Sequence, residues 1–206
     1  GNLQPLQGVR LDAGVTLWEG SRRLSSTLGN MIFTQWGLNG PAVMDLSHHI
    51  SANPDAEFQL SLNLLAPFQE AFDLLLAHKR TSRMPLRILL GAFFPPKVVL
   101  LFLQNANIAK DISLCDISDS TIERVLKNLT DTRVSVKGLR GYEYCQMSAG
   151  GVPVNEVDVL TMESHQLKGL FLTGEILDVV GPCGGYNLQF ALSSGALAGK
   201  AAARPG

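Results

Sequence analysis

The chain has 206 residues, enough for one large or two small domains, with 46% apolar and 17% charged residues. That balance describes a well-cored globular protein and excludes a disordered one. A formal net charge of −1 argues against a nucleic-acid partner, and the longest apolar run, Val98 to Leu103, is too short to span a bilayer.

From Val9 to Trp18 the apolar residues Val9, Leu11, Ala13, Val15 and Leu17 alternate, which predicts a half-buried strand. Met31-Ile-Phe33 reads as a second, short strand, followed by a turn at residues 37–40. Pro41 suits the first turn of a helix running to about Ile50. Asn53-Pro-Asp55 breaks it, and Phe58, Leu60, Leu62 and Leu64 alternate again as a strand.

Pro67 then opens a helix whose apolar positions are Phe68, Ala71, Phe72, Leu75 and Leu76. Pro85 and the pair Pro95-Pro96 divide the next stretch of chain into short helices near residues 86–92 and 97–106. Ser120-Thr-Ile-Glu123 forms a capping box before a stripe of Ile122, Val125, Leu126 and Leu129. Residues 66–130 thus read as a helical bundle carried between strands. Lys79, Arg80, Arg83 and Arg87 are expected to be a solvated helix end. Residues 133–147 return to strand, with bends at Gly138 and Gly141, and segments 58–65 and 133–144 are expected to share one sheet or barrel.

The last forty residues carry the most specific pattern. A short apolar strand over 169–174 ends at Gly174-Glu175, where an α/β sheet presents a carboxylate to ligands. Gly181-Pro-Cys-Gly-Gly-Tyr-Asn-Leu-Gln189 comes next, a glycine-rich loop opening onto a helix from about Tyr186. Glycines let the backbone approach a ligand, and a helix N-terminus offers N–H groups and positive potential. By pattern alone the same loop reads more often as a simple turn than as a ligand site.

Together with Ala149-Gly-Gly-Val152 and Thr161-Met-Glu-Ser164, these segments resemble the C-terminal signature of the BaiN/YhiN-type NAD(P)/FAD-dependent oxidoreductases. Phe33-Thr-Gln-Trp-Gly-Leu-Asn-Gly-Pro-Ala42 is similar to a second segment of that family, except that Gln35 replaces its usual His and Asn39 its Ser. The departure at Gln35 means that no role of the family's histidine carries over.

The resemblance implies an α+β fold. A β-rich, barrel-like inserted domain would span 1–147, with a helical subdomain near 66–131. Residues 148–206 would form the C-terminal strand-loop-helix of an FAD-binding domain. The G-x-G-x-x-G fingerprint of such flavoproteins does not occur. The chain, opening at Gly1-Asn-Leu-Gln-Pro-Leu6 with Gly1 a possible tag scar, is therefore expected to be a fragment without its dinucleotide-binding segment. FAD would be absent or weakly held by this chain alone, and the fragment inactive.

In the intact parent the resemblance implies hydride transfer from NAD(P)H through FAD to a small organic substrate, with a carbon–carbon double bond as the expected site. Gly174, Glu175, Asp178, Gly184, Gly185, Tyr186, Asn187 and Leu188 would contact the flavin, Glu175 through the ribityl hydroxyls. Asp178 reads equally as a brace for the loop, and Tyr186 to Leu188 would act through their N–H groups. Trp36, Gly37, Gly40 and Pro41 either cover the flavin face or make a tight turn. Met162-Glu163-Ser164 reads as a turn that could instead line the flavin.

Small residues Ala191, Ser194, Gly195, Ala198 and Gly199 would let the last helix approach the missing segment. His48, His49, His78 and His165 are expected to be solvated or capping, with no metal site. Cys115, Cys145 and Cys183 share no disulfide or metal spacing, which suits a reducing cytoplasm, and a redox role for Cys183 is disfavoured. The rival class is a non-catalytic module that binds a partner or ligand through its β-rich domain.

Overall fold

The computed structural model describes residues 3–77 and 79–204, and for Leu75 and Arg80 the backbone alone. Gly1, Asn2, His78 and the side chains of Leu75 and Arg80, each part of an expectation from sequence, lie outside the described residues. The chain divides into two units, Gly1–Lys137 and Gly138–Gly206.

The first unit is built on a curled five-stranded antiparallel sheet, a half-barrel of order β3-β2-β1-β4-β5. β1 (Arg10–Glu19) buries Ala13, Val15 and Leu17 on one face and leaves Gly14, Thr16 and Trp18 on the other. Gly20, at φ 56°, makes the two-residue turn into β2, whose Arg22 pairs with Glu19 across the hairpin. β2 (Arg22–Thr34) is thirteen residues long, not the short strand expected. Only Met31 and Phe33 of it are buried, so its first two-thirds carry no apolar alternation to be read.

The expected turn at 37–40 is also corrected. Gly37–Asn39 is a strand, β3, paired with β2, and the chain reverses at Gln35 and Trp36. Gly40 then lies at φ 100° and precedes α1 (Pro41–Met44). The single helix expected to Ile50 is two, because an i→i+3 bond from Leu46 N–H to Val43 O tightens the chain before α2 (Ser47–Ala52).

β4 (Phe58–Asn63) pairs with β1 on one side and with β5 (Thr132–Ser135) on the other, so the segments around the helices do share one sheet. The strand expected to reach 147 stops at Ser135. Its last rung is Val136 N–H to Phe58 O at 2.9 Å, where β4 itself begins, and a strand without a partner does not continue.

Between β4 and β5 lie α3 (Gln69–Ala77), α4 (Leu86–Gly91), α5 (Pro96–Asn105) and α6 (Asp119–Thr130). The cap of α6 is Ser118, whose Oγ accepts from Thr121 N–H at 3.2 Å, two residues before the box read from the sequence. Lys79 is not solvated: its side chain is 12% exposed and its Nζ lies 2.5 Å from Asp119. Leu89, Leu90, Val98, Phe102, Val125 and Leu129 join the buried sheet residues in one core. Each such side chain contributes roughly 1.5–3 kcal/mol through its removal from water.

The second unit has a much smaller core of Val157, Met162, Leu177 and Ala198. Its regular element is α7 (Tyr186–Ala202), and isolated bridges join 152 with 177, 157 with 164, and 163 with 171. Among the described residues no helix is long and apolar enough to cross a membrane.

Two outcomes test this description. At Gly40 an added Cβ would sit 2.8 Å from Asn30 O and 2.9 Å from Met31 Cα at a left-handed φ, whereas at Gly37, with φ 140°, it meets open space. Gly40→Ala should therefore lower stability by at least ~2 kcal/mol, and Gly37→Ala by less, in urea denaturation; equal losses would refute the close approach of Gly40 to β2.

The Asp131 carboxyl is held below its ordinary 3.8, first by the hydrogen bond from Ser61 and then by Arg133. A depressed carboxyl stabilises the fold above its unfolded pKa, and that contribution is lost as pH falls through the folded value. Partial exposure limits it to less than ~1 kcal/mol. Asp131→Asn should flatten the loss of stability between about pH 5 and pH 2; an unchanged slope would contradict the pairing.

Candidate functional site

The expected strand over 169–174 is not a regular strand. Leu172 N–H donates to Met162 O at 2.9 Å and Ser164 N–H to Leu170 O at 2.8 Å, two antiparallel rungs and no more. Gly174, at φ 69°, then turns the chain into a 3-10 helix, Gly174–Ile176. Its N–H donates to Ser194 Oγ at 3.0 Å, and a Cβ there would lie 3.4 Å from Ala191 Cβ.

The small residues of α7 are thus used in part within the unit itself. Ala191 and Ser194 receive the buried Gly174, and Ala198 joins the small core. Gly195 and Gly199 remain exposed, and a Cβ on either would meet nothing within 4 Å beyond the backbone of its own helix.

Glu175 and Asp178 are exposed and brought together by one backbone strap the sequence did not place beside them. Glu175 Oε1 accepts from Ser148 N–H at 2.6 Å, and Asp178 Oδ1 accepts from Gly150 N–H at 3.0 Å. Between these, Val152 N–H donates to Ile176 O and Asp178 N–H to Val152 O, both at 2.8 Å. At Gly151, with φ 135°, a Cβ would stand 2.4 Å from Ile176 O, so only glycine lets the strap lie this close. The adjacent glycines of Ala149-Gly-Gly-Val152 were the available signal. Asp178 therefore braces the strap at Gly150.

The loop before α7 is shaped by Asn187, whose contribution is not limited to its N–H. Its Oδ1 accepts from Gly181 N–H at 2.7 Å and its Nδ2 donates to Gly181 O at 2.9 Å, a two-point clamp. Gly184 (φ 132°) and Gly185 (φ 92°) lie in the left-handed region, and a Cβ on Gly185 would meet nothing within 4 Å. The result is an exposed, side-chain-free backbone at the N-terminus of a 17-residue helix. Tyr186 and Leu188 expose their side chains beside it.

The other expected residues lie in the first unit. Trp36 is 69% exposed at the tip of the β2–β3 hairpin. Its N–H donates to Thr34 Oγ1, which itself donates to Gly37 O. Asn39, in the position of the family's Ser, accepts from Gly40 N–H at 2.7 Å and so caps the bend before Pro41.

The profile described as the HI0933-like protein Rossmann domain matches residues 22–201, a span that enters both units. A 3-dehydro-bile acid delta(4,6)-reductase of Clostridium scindens is 34% identical over 95% of this chain and 49% of its own length. A ribosomal RNA dihydrouridine synthase of Escherichia coli is 34% identical over 93% of this chain and 46% of its own. The Haemophilus influenzae protein of the same name is 29% identical over the same shares. The chain spans about half the length of the curated relatives it matches. The profile match, joined to the motifs that meet in the second unit, assigns this chain to the HI0933-like, BaiN/YhiN-type flavoprotein family.

Proposed function

We propose that the whole protein is a flavin-dependent oxidoreductase that moves hydride from NAD(P)H through FAD to a carbon–carbon double bond of an organic substrate. Within it, residues 1–147 would be the inserted domain and 148–206 the return into the FAD-binding domain. The observation that carries this is the gathering, in one unit, of an exposed carboxylate at Glu175, a glycine backbone at 184–185 and the start of α7.

The donor set fits a flavin. Glu175 gives one oxygen to Ser148 and has a second to accept from a ribityl hydroxyl. Bare backbone at Gly184 and Gly185 admits a flat ring edge without a Cβ in the way. First-turn N–H groups of Tyr186, Asn187 and Leu188, with the helix dipole, favour negative charge at the pyrimidine edge. When bound, a flavin supplies two-electron chemistry, accepting and delivering hydride. Asn187 and Gly174 act as positioning residues, the first clamping the loop and the second docking its base on α7.

The relatives' names support a double bond as the target, since both a delta(4,6)-reductase and a dihydrouridine synthase name a product with hydrogen added across C=C. A small-molecule substrate is favoured by the net charge of −1. The two ribosomal RNA relatives favour a second possibility, a uridine ring within RNA.

Purified whole protein should show a flavin absorbance spectrum that NAD(P)H bleaches without oxygen and that a conjugated enone or an RNA uridine restores. A colourless protein that takes up no added FAD would refute the flavin, and failure of both acceptors would refute the double bond.

Glu175→Gln keeps an acceptor for Ser148 but removes the charge, while Glu175→Ala removes both. Each charge-assisted bond lost costs about 1.5–3 kcal/mol, roughly ten- to more than a hundredfold in FAD affinity. Both variants should emerge pale and recover with added FAD, Glu175→Ala more severely. If both hold flavin like the unaltered protein, Glu175 serves only the strap.

A further inference from the structure

The sequence holds a single Asn-Gly pair, Asn39-Gly40, and the first unit sets its two amides side by side. Asn39 is the exposed last residue of β3, and Gly40 lies just beyond the strand. The Gly40 N–H donates to Asn39 Oδ1 at 2.7 Å. The side-chain carbonyl carbon stands one C=O bond, about 1.23 Å, behind that oxygen. The main-chain nitrogen of residue 40 is thus held next to the side-chain carbonyl of residue 39, and glycine has no Cβ to shield it.

The pair is a feature of this chain and not of the motif it resembles, which has Ser where Asn39 stands. A serine hydroxyl offers a neighbouring amide no carbonyl carbon. The backbone around the pair has little slack. Gly40 lies at φ 100°, and a Cβ there would stand 2.8 Å from Asn30 O and 2.9 Å from Met31 Cα. Before it, Gly37, Leu38 and Asn39 pair with β2. After it, α1 begins at once with Pro41, and Ala42 O accepts from Thr27 Oγ1 of β2 at 2.5 Å. The main chain is therefore pinned to β2 on both sides of the pair.

We propose that Asn39 is a self-modification site, where the chain deamidates spontaneously with water as the co-reactant. The Gly40 nitrogen gives its proton to solvent and bonds to Asn39 Cγ, while the Cγ–Nδ2 bond breaks and the amide leaves as ammonia. Holding nucleophile and electrophile in contact lowers the barrier to that step. One water then opens the cyclic imide. Attack at Cγ leaves aspartate; attack at the main-chain carbonyl leaves isoaspartate, whose backbone runs through Cβ and is one carbon longer. Nothing is oxidised or reduced: water replaces ammonia and an amide becomes a carboxylate. Aspartate keeps an oxygen for the Gly40 N–H, and with it the bend before Pro41. Isoaspartate must fit its extra carbon between a pinned β3 and a pinned α1, so that product loosens the corner of β2, β3 and α1. The site lies wholly in the first unit and stands whether or not the flavin assignment holds.

The test ages the purified chain at mildly alkaline pH, folded in one arm and unfolded in guanidinium in the other. Tandem mass spectrometry of its peptides follows every asparagine. In the folded chain Asn39 should convert roughly tenfold faster than any other asparagine, and no more slowly than in guanidinium. An isoaspartate methyltransferase should label the aged chain at position 39, and Asn39→Ser should abolish both the label and the mass change. The labelled fraction should melt at a lower temperature than fresh protein, whereas Asn39→Asp, which keeps the bend, should melt with it. Another asparagine converting first, slower conversion of Asn39 in the folded chain than in guanidinium, or an isoaspartate form that melts with fresh protein would overturn the proposal.

Discussion

A strand paired on both edges has its two faces committed to different surroundings, and β1 imposes that division on the whole first unit. Its register with β2 and β4 sets Ala13, Val15 and Leu17 on one side, and a buried face of that size demands a cover. The helices between β4 and β5 supply it, with Val98, Phe102, Val125 and Leu129 closing over the sheet in one core. Because the chain leaves from β4 and returns to β4's free edge, the helical segment is held at both ends. The bond from Leu64 N–H to Leu129 O at 2.8 Å ties the end of α6 back to the strand from which the segment departs.

The same alternation leaves the opposite face to water, and there the unit shows a second kind of order. Ser61, Asp131, Arg133 and Trp18 form a chain of hydrogen bonds, ion pair and ring stacking across three strands. Interactions of this kind contribute little to stability at an exposed surface, but they fix side-chain orientation.

The second unit rests on a different balance. With four buried apolar residues in its core among the described residues, it relies on hydrogen bonds made by side chains to backbone: Glu175 and Asp178 to the strap at 148–150, Asn187 to Gly181, Ser194 to Gly174. A change at Glu175 or Asn187 therefore alters the frame of this unit.

By itself the sequence determined the alternating strands at 9–18 and 58–64, the helices marked by prolines, the helix from Tyr186 and the membership of the chain in its family. Each of these is written in local periodicity, in a φ-restricted residue or in a contiguous motif. Tertiary structure alone decided the rest. β2 extends through residues 22–30 because β1 offers it a partner, although its polar side chains carry no signal. The strand expected at 133–147 ends at Ser135 because β4 runs out beside it. Gly151 lies against Ile176, and Glu175 reaches Ser148, across 25 and 27 positions of chain. Such contacts depend on which backbone groups find partners in space, and a backbone hydrogen bond leaves no mark on the side chains that a sequence records.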